Sequence, residues 1–348
     1  MLHGGEVYDK EIELDFSVSL NPCGCPDEVK DALSGAICDI DKYPDMDQRK
    51  FREAVARAEK LSPENIIGGN GASELLSAIV NMIRPTKALL PVPSFYGYVH
   101  ALSMAPQCET VTYQLREDKG FELDETFVDE ITCAIDLVIL GNPNNPTGKC
   151  IKTDVLEAVI KKCNETGTAL IVDECFLRLS EHGTSARAYL DSYDNLYIVD
   201  AYTKLFSIPG VRVGFCLSQP ENIVRLRRFL PEWNMSVFAQ AAGIACAKIL
   251  ADDKKSFLDM TTELIRAELE YLSVELKKLG IKVFDSDTNF LLVRIDNDHF
   301  DLYHLLLNNH ILIRDCSTFD GLTDGFYRIA VKDHESNKKL LQLIELCQ

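Results

Sequence analysis

Short strand-like segments that alternate with stretches of helical periodicity constrain the fold of this chain more than any other sequence feature. Continuous apolar runs of this length are typical of strands that are covered on both faces, and their alternation with helices favours a parallel sheet. The pattern therefore predicts an α/β fold with a large, mostly parallel central sheet. The predicted strands span residues 88–92, 109–115, 136–141, 169–173, 196–200 and 213–217, and the helical patterns lie near 72–83, 98–105, 123–131, 153–166 and 220–230.

The pattern changes after about residue 232. A long helical region, 236–252 and 255–279, is followed by short strands near 281–284, 289–295, 311–314 and 326–331. We therefore predict a large domain over residues 41–232 and a smaller α+β domain over 233–348, with residues 1–40 forming an N-terminal arm and part of the small domain. An active site is expected between the domains, at the carboxyl ends of the parallel strands.

Composition excludes several classes of protein. Fifty-four acidic against 36 basic residues give a net charge of −18, which argues against a nucleic-acid partner. No segment approaches the roughly 18 apolar residues that a membrane helix needs, and the first residues do not resemble a secretory signal, so we expect a cytoplasmic protein. The twelve cysteines are scattered apart from Cys23 and Cys25. We interpret them as reduced and structural, and predict no metal site.

Lys204 follows the predicted strand 196–200 directly, in a polar turn that leads to Arg212. A lysine at a strand end can act as an imine-forming amine when burial or a neighbouring cation lowers its pKa. A solvated surface lysine is the ordinary alternative. The residues at the other strand ends decide between these interpretations.

Each neighbouring strand end supplies a different chemical group. The glycine-rich turn at 68–76 leads into a helix and could bind a phosphate, although a purely structural turn fits equally well. The aromatic segment 93–98 could stack on a planar ligand or pack in the core. Asn145 offers an amide, Asp173 a carboxylate that needs a cationic partner if buried, and Arg212 a phosphate-binding guanidinium. Together with Lys204, these groups meet the requirements of pyridoxal 5′-phosphate.

The motifs that contain these residues resemble those of fold-type I pyridoxal-phosphate enzymes of the class I/II aminotransferase family, over nearly the whole chain. Within that family the chain is similar to the histidinol-phosphate aminotransferase branch and, more closely, to the threonine-phosphate decarboxylase branch of cobalamin biosynthesis. The supporting motifs are HGG (3–5), DFSVSLNP (15–22), YPD (43–45), NPNNPTG (142–148), Asp173-Glu174, TKLFSIPGVRVG (203–214), WNMSVFAQAA (233–242) and ILIRDC (311–316).

The resemblance implies a role for each matching residue. Lys204 would bind the cofactor covalently and shuttle protons, Asp173 would pair with the pyridinium nitrogen, and Asn145 and Phe95 would contact the ring. The residues implied for the cofactor phosphate are Gly71, Ala72, Ser73, Thr203, Arg212 and, across a homodimer interface, Tyr43. Arg328 would bind the substrate α-carboxylate, with Arg314 and Asn21 as further substrate-facing residues.

Two positions depart from the family pattern. Many relatives have a hydroxyl residue three places before the lysine, where this chain has Ala201, so one contact to the cofactor phosphate is missing. Many aminotransferases have a tyrosine three places after the aspartate, where this chain has Phe176. Phenylalanine at the second position also occurs in the decarboxylase branch.

Three functions follow as hypotheses. The leading one is decarboxylation of O-phosphothreonine to aminopropanol phosphate. Transamination of a substrate such as histidinol phosphate with glutamate is the alternative, because substrate orientation within a common site decides which bond breaks. A regulator that senses pyridoxal phosphate is a remote third hypothesis. Such proteins need a DNA-binding module, whereas here the family-like motifs begin within the first few residues and the net charge is strongly negative.

Overall fold

The computed structural model describes residues 4–252, 254–296 and 301–346. Its strands are β1 (Leu14–Asp15), β2 (Ile66–Gly69), β3 (Lys87–Val92), β4 (Glu109–Gln114), β5 (Leu137–Gly141), β6 (Ala169–Asp173), β7 (Leu196–Ala201), β8 (Gly214–Leu217), β9 (Lys282–Val283), β10 (Phe290–Arg294), β11 (Ile311–Leu312), β12 (Arg314–Asp315) and β13 (Phe326–Ala330). The α-helices are α1 (Asp27–Gly35), α2 (Arg49–Glu59), α3 (Ala72–Ile83), α4 (Tyr96–Leu102), α5 (Thr126–Asp129), α6 (Thr153–Thr166), α7 (Tyr202–Leu205), α8 (Pro220–Arg227), α9 (Val237–Asp252), α10 (Lys254–Lys278), α11 (Leu302–Leu307) and α12 (His334–Leu346).

A seven-stranded sheet forms the centre of the fold, in the order β2-β8-β7-β6-β5-β3-β4. Strands β3 to β7 pair in parallel, and β8 alone runs antiparallel to both of its neighbours. Crossover connections join these parallel strands, and α4, α5 and α6 lie in those between β3 and β4, β4 and β5, and β5 and β6. The predicted α/β fold with a mostly parallel central sheet is confirmed.

Both faces of this sheet are covered, which explains the continuous apolar runs. Along β5, for example, Leu137 and Ile139 belong to one core cluster, whereas Val138 and Leu140 belong to the other. Successive side chains of a strand point to opposite faces, so the two clusters lie on opposite sides of the sheet.

A smaller antiparallel sheet, in the order β12-β13-β10-β9, has its own core together with α10 and α12. The N-terminal segment joins this part of the fold, because β1 pairs in parallel with β11 and Phe16 lies in the same core. Helix α9 instead packs against α1 and α2, next to the large sheet. The domain boundaries at residues 40 and 232 stay a prediction.

Most of the predicted strands and helices match the structure within a few residues, and several elements were not predicted. The unpredicted elements include β2, which is half glycine, and the helices α1, α2 and α12. Among the described residues, no helix combines the length and the apolar character that a membrane span requires.

Candidate active site

A cavity of about 250 Å³ lies where the carboxyl ends of the parallel strands face the smaller sheet. The strands β5, β6 and β7 end at this edge, so residues that are far apart in sequence meet there. Ten of the predicted site residues line the cavity: Ala72, Ser73, Phe95, Asn145, Asp173, Thr203, Lys204, Arg212, Arg314 and Arg328.

Lys204 is partly buried and lies in α7, a single helical turn that follows the fully buried strand β7. Burial, together with the positive charges of Arg328 and Arg212, lowers the pKa of its amine from 10.5 to about 8. Its Nζ lies 5.7 Å from the centre of the Phe176 ring. More of this amine is therefore unprotonated near neutral pH than of an ordinary lysine, which favours a nucleophilic role.

Asp173 ends β6 and is only 9% exposed. Its Oδ1 accepts a hydrogen bond from the backbone N–H of Cys175 at 3.0 Å, and its Oδ2 accepts one from the Tyr98 hydroxyl at 2.9 Å. Burial raises the pKa of the carboxyl group despite these donors. The arrangement favours a cationic group of a ligand beside this carboxylate.

Gly71 and Arg212 approach each other closely at the start of α3. Gly71 has a φ of +79°, and a Cβ added there would lie 2.2 Å from Nη2 of Arg212. Arg212 also donates to the carbonyl oxygens of Pro209 at 3.2 Å and Asn70 at 3.4 Å, which holds its guanidinium beside the helix N-terminus. Backbone N–H groups at a helix start combined with a guanidinium form a suitable site for a phosphate. Ala201 lines the same cavity and has no hydroxyl to offer a phosphate there.

Arg328 and Asn145 join the two sheets across the cavity. Nη1 of Arg328 donates to Asn145 Oδ1 at 2.5 Å, and Nη2 donates to the carbonyl oxygen of Ser17 at 2.6 Å. No hydrogen-bond partner for Arg328 Nε occurs within the described part of the chain. Burial lowers the pKa of this guanidinium to about 10. Because Oδ1 of Asn145 accepts from Arg328, the amide nitrogen of Asn145 is the atom that could donate to a ligand.

Arg314 provides the second guanidinium of this wall and is 3% exposed. It lies opposite Arg328 in the pairing of β12 with β13. Its Nη2 donates to the Thr318 hydroxyl at 3.1 Å, and its guanidinium carbon lies 5.2 Å from the centre of the Phe319 ring. Residues opposite one another on antiparallel strands project to the same face, so both guanidinium groups serve one wall.

Three predicted residues do not line the cavity. Gly71 lies just behind it, against Arg212. Tyr43 is 80% exposed, with its ring 4.8 Å from that of Trp233. Asn21 is 3% exposed, and its amide nitrogen donates to the carbonyl oxygen of Leu205 at 2.8 Å instead of facing the cavity. Because the backbone of the lysine turn engages this side chain, the geometry gives the predicted substrate contact of Asn21 no support, and that contact stays a prediction.

Sequence reasoning missed several residues that belong to the site. Tyr98, which bonds Asp173, is the last residue of the aromatic segment 93–98, where no single tyrosine was selected. Ser17 and Ser19 of the DFSVSLNP motif also line the cavity. Their alternation with apolar residues is the sequence pattern that could have indicated that both serines face the same side. Gly4 of the HGG motif also lines the cavity, whereas His3 lies outside the described residues.

Known proteins match the chain over nearly its full length. The model of the family described as aminotransferase class I and II matches residues 11–344. The threonine-phosphate decarboxylase of Salmonella typhimurium is 31% identical over 97% of this chain and 94% of its own length. The crystal structure of the histidinol-phosphate aminotransferase from Clostridium acetobutylicum superposes with a TM-score of 0.87 at 31% identity, covering 96% of this chain and 98% of that one.

A third match has the same fold at lower identity. The crystal structure of L-threonine-O-3-phosphate decarboxylase from Porphyromonas gingivalis gives a TM-score of 0.83 at 24% identity, over 96% of this chain and 99% of that chain. The range that the family model matches includes Lys204, Asp173, Asn145 and Arg328, which line one cavity. The chain belongs to the aminotransferase class I and II family.

Proposed function

We propose that the cavity binds pyridoxal 5′-phosphate, with Lys204 as the amine that reacts with its aldehyde. Three features fit this cofactor. The Lys204 amine has its pKa lowered to about 8, Asp173 is a buried carboxylate suited to a cationic ring nitrogen, and Gly71 leaves room for Arg212 beside the start of α3. Phe95, Asn145, Ala72, Ser73 and Thr203 would complete the contacts to the ring and the phosphate.

The proposed reaction is the decarboxylation of O-phosphothreonine. The observation that carries it is the pair of buried arginines, Arg314 and Arg328, that lie opposite each other on one cavity wall. Two guanidinium groups on one wall favour a substrate with two anionic groups, and a phosphorylated amino acid has both a carboxylate and a phosphate. The similarity to the Salmonella typhimurium threonine-phosphate decarboxylase supports the same substrate class.

The residues of this chain divide the work between binding and proton transfer. Pyridoxal phosphate, when bound, supplies a ring that accepts the electron pair left behind as carbon dioxide departs. Arg328 binds the α-carboxylate and Arg314 the phosphate, which fixes the orientation of the bonds at the α-carbon. Lys204 Nζ then delivers a proton to the carbon that has lost its carboxylate. The pKa of about 8 suits this step, because the amine exchanges protons readily near neutral pH.

Transamination is a second candidate, favoured by the similarity to the histidinol-phosphate aminotransferase of Clostridium acetobutylicum. The two reactions differ in product and in the need for a second substrate. Purified protein loaded with pyridoxal phosphate should release one carbon dioxide per O-phosphothreonine without 2-oxoglutarate. No release of carbon dioxide, together with 2-oxoglutarate-dependent turnover of histidinol phosphate, would overturn decarboxylation.

A homodimer with shared sites is part of the same proposal. Exposed apolar side chains support it: Ile37, Ile40 and Met46, which are close to Tyr43 in the sequence, and Trp233, whose ring lies 4.8 Å from that of Tyr43, are between 43% and 65% exposed. Apolar side chains grouped in this way on a surface are typical of protein interfaces. Sedimentation at micromolar concentration should give twice the mass of one chain, and a monomer with full cofactor affinity would contradict the proposal.

A further inference from the structure

Asn21 makes four hydrogen bonds that end on the Lys204 turn or on helix α10. Its backbone N–H donates to the carbonyl oxygen of Lys204 at 3.0 Å. Its Nδ2 donates to the carbonyl oxygen of Leu205 at 2.8 Å and to Thr261 Oγ1 at 2.9 Å. Its own carbonyl oxygen accepts from the Ser207 hydroxyl at 2.8 Å. Asn21 therefore connects the N-terminal segment, the lysine turn and α10 at one buried point.

The lysine turn depends on such outside contacts. Helix α7 contains four residues, Tyr202–Leu205, and an isolated helical turn is unstable because one hydrogen bond does not offset the loss of backbone freedom. The carbonyl groups at the end of a helix also have no partners within it. Asn21 supplies donors to two of these carbonyls, those of Lys204 and Leu205. The direction in which the Lys204 side chain leaves the backbone is thus fixed partly by Asn21.

The same N-terminal segment also holds the arginine on the opposite wall. The carbonyl oxygen of Ser17 accepts from Arg328 Nη2 at 2.6 Å, and that of Phe16 accepts from the backbone N–H of Ala330 at 3.0 Å. Only a few residues separate these attachments from Asn21. The segment 16–21 therefore spans the cavity from the carboxylate-binding arginine to the lysine.

We propose that Asn21 is a positioning residue, which holds the Lys204 amine at its working position relative to Arg328 by fastening the lysine turn to Thr261 of α10. The inference rests on the proposed function in one respect, the assignment of Lys204 as the reactive amine. Asn21 acts through the backbone of residues 204 and 205 and touches neither substrate nor cofactor.

The test compares Asn21→Ala with a matched control, Asn222→Ala. Asn222 is also buried, and its Nδ2 also donates to one carbonyl oxygen, that of Asp194, and one hydroxyl, that of Ser218, but it does not line the cavity. Thr261→Val removes only the hydroxyl that accepts from Asn21 Nδ2, and this variant replaces Asn21→Ala in the test if Asn21→Ala does not fold. Thr261→Ser keeps the hydroxyl and should behave as the unchanged protein.

Two readouts separate positioning from general stability. In Asn21→Ala, kcat for O-phosphothreonine should fall at least tenfold with KM changed less than threefold, because small displacements of a reacting group slow the chemical step strongly. In cofactor-free protein, acetylation of Lys204 by dilute acetic anhydride at pH 8, followed by peptide mass spectrometry, should slow at least threefold, because an amine that leaves its buried, cation-rich position becomes more protonated. Thr261→Val should show smaller changes in the same directions, whereas Asn222→Ala and Thr261→Ser should show neither.

The inference is overturned if Asn21→Ala and Asn222→Ala lower the melting temperature equally, and both keep the kcat and the Lys204 acetylation rate of the unchanged protein. If Asn21→Ala does not fold, Thr261→Val replaces it, and the inference is overturned if Thr261→Val changes neither kcat nor the rate of Lys204 acetylation. If the unchanged protein releases no carbon dioxide from O-phosphothreonine, the proposed decarboxylation is refuted. The acetylation rate needs no substrate, so it still decides the inference about Asn21 in that case.

Discussion

Arg314 and Arg328 lie directly opposite each other on the antiparallel strands β12 and β13, and both are buried at the wall of the cavity. Like charges opposite one another on neighbouring strands repel, and burial strengthens that repulsion because it removes solvent screening. Burial also lowers the pKa of both guanidinium groups. Under the proposed function, a substrate with two anionic groups would pair with both guanidinium groups and offset this repulsion, as a phosphorylated amino acid can.

Arg314→Gln tests which anionic group each arginine binds. The affinity for O-phosphothreonine should fall about 10- to 150-fold, because a charged hydrogen bond contributes roughly 1.5–3 kcal/mol. The affinity for threonine, which has no phosphate, should change less than threefold. Both can be measured by titration of the cofactor absorbance. Arg294→Gln, which removes a guanidinium that pairs with Glu117 at 2.8 Å, should affect neither ligand. Equal losses for the two ligands in Arg314→Gln would contradict the assignment.

Lys204→Met should stabilise the cofactor-free protein near neutral pH. The folded-state pKa of about 8 lies below the ordinary value of 10.5, so burying the charged amine costs up to about 3 kcal/mol at pH 7. Between pH 8 and 10.5 the unfolded chain binds more protons than the folded chain, so the stability of the unchanged protein rises with pH. The advantage of Lys204→Met in urea unfolding should therefore shrink across this window. An advantage that is equal at pH 7 and pH 10.5 would refute the lowered pKa.

Gly71→Ala should weaken cofactor binding beyond its effect on folding. The added Cβ would lie 2.2 Å from Arg212 Nη2, so the guanidinium must move away from the start of α3. Gly120→Ala is the control, because Gly120 also has a positive φ, +65°, but no atom within 4 Å of the added Cβ. Gly120→Ala should lose about 1 kcal/mol of stability, because Gly120 lies in the left-handed helical region. Gly71→Ala should lose more, up to about 3 kcal/mol, because its φ of 79° and ψ of 169° are adopted almost only by glycine. Only Gly71→Ala should raise the dissociation constant for pyridoxal phosphate, by tenfold or more, in fluorescence titrations. Equal cofactor affinity in the two variants would argue against a phosphate site at this turn.

Tyr43→Ala should weaken cofactor retention while leaving the fold of one chain intact. Tyr43 is 80% exposed in the single chain, so its removal costs little stability there, and any effect on the cofactor must arise across a subunit interface. Gel filtration in cofactor-free buffer followed by measurement of the retained absorbance gives the result. Tyr8→Ala, at a position that is 97% exposed, is the control. Retention as strong as in the unchanged protein would show that Tyr43 does not complete a neighbouring site.

The centre of the large sheet could be predicted because its strands are buried on both faces and are therefore almost entirely apolar, as β5 is. Strand β2 was missed because two of its four residues are glycine, which has no strand preference. Helices α1 and α2 are not among the predicted elements, because the sequence pattern predicts an arm over residues 1–40 and no helix before residue 72. In the structure, α2 has a buried face that packs on α9.

Site residues could be predicted only where they lie at the ends of the predicted strands. Asp173 is the last residue of β6, and Asn145 and Lys204 lie within four residues of the ends of β5 and β7; such strand ends meet at one edge. Contacts between distant segments could not be derived in this way: Arg328 bonds Asn145 across 183 positions of the chain, and Asn21 bonds Leu205 across 184. The direction of the Asn21 side chain depends on packing against α10, which no local pattern in the sequence encodes.

The central claim is that Lys204 is the amine that binds pyridoxal phosphate. Protein loaded with the cofactor, reduced with borohydride and digested, should give a single pyridoxyl-modified peptide that contains Lys204. The modification should be lost in Lys204→Ala, together with the absorbance of the bound cofactor. A pyridoxyl group on another lysine, or full absorbance and turnover in Lys204→Ala, would contradict the account.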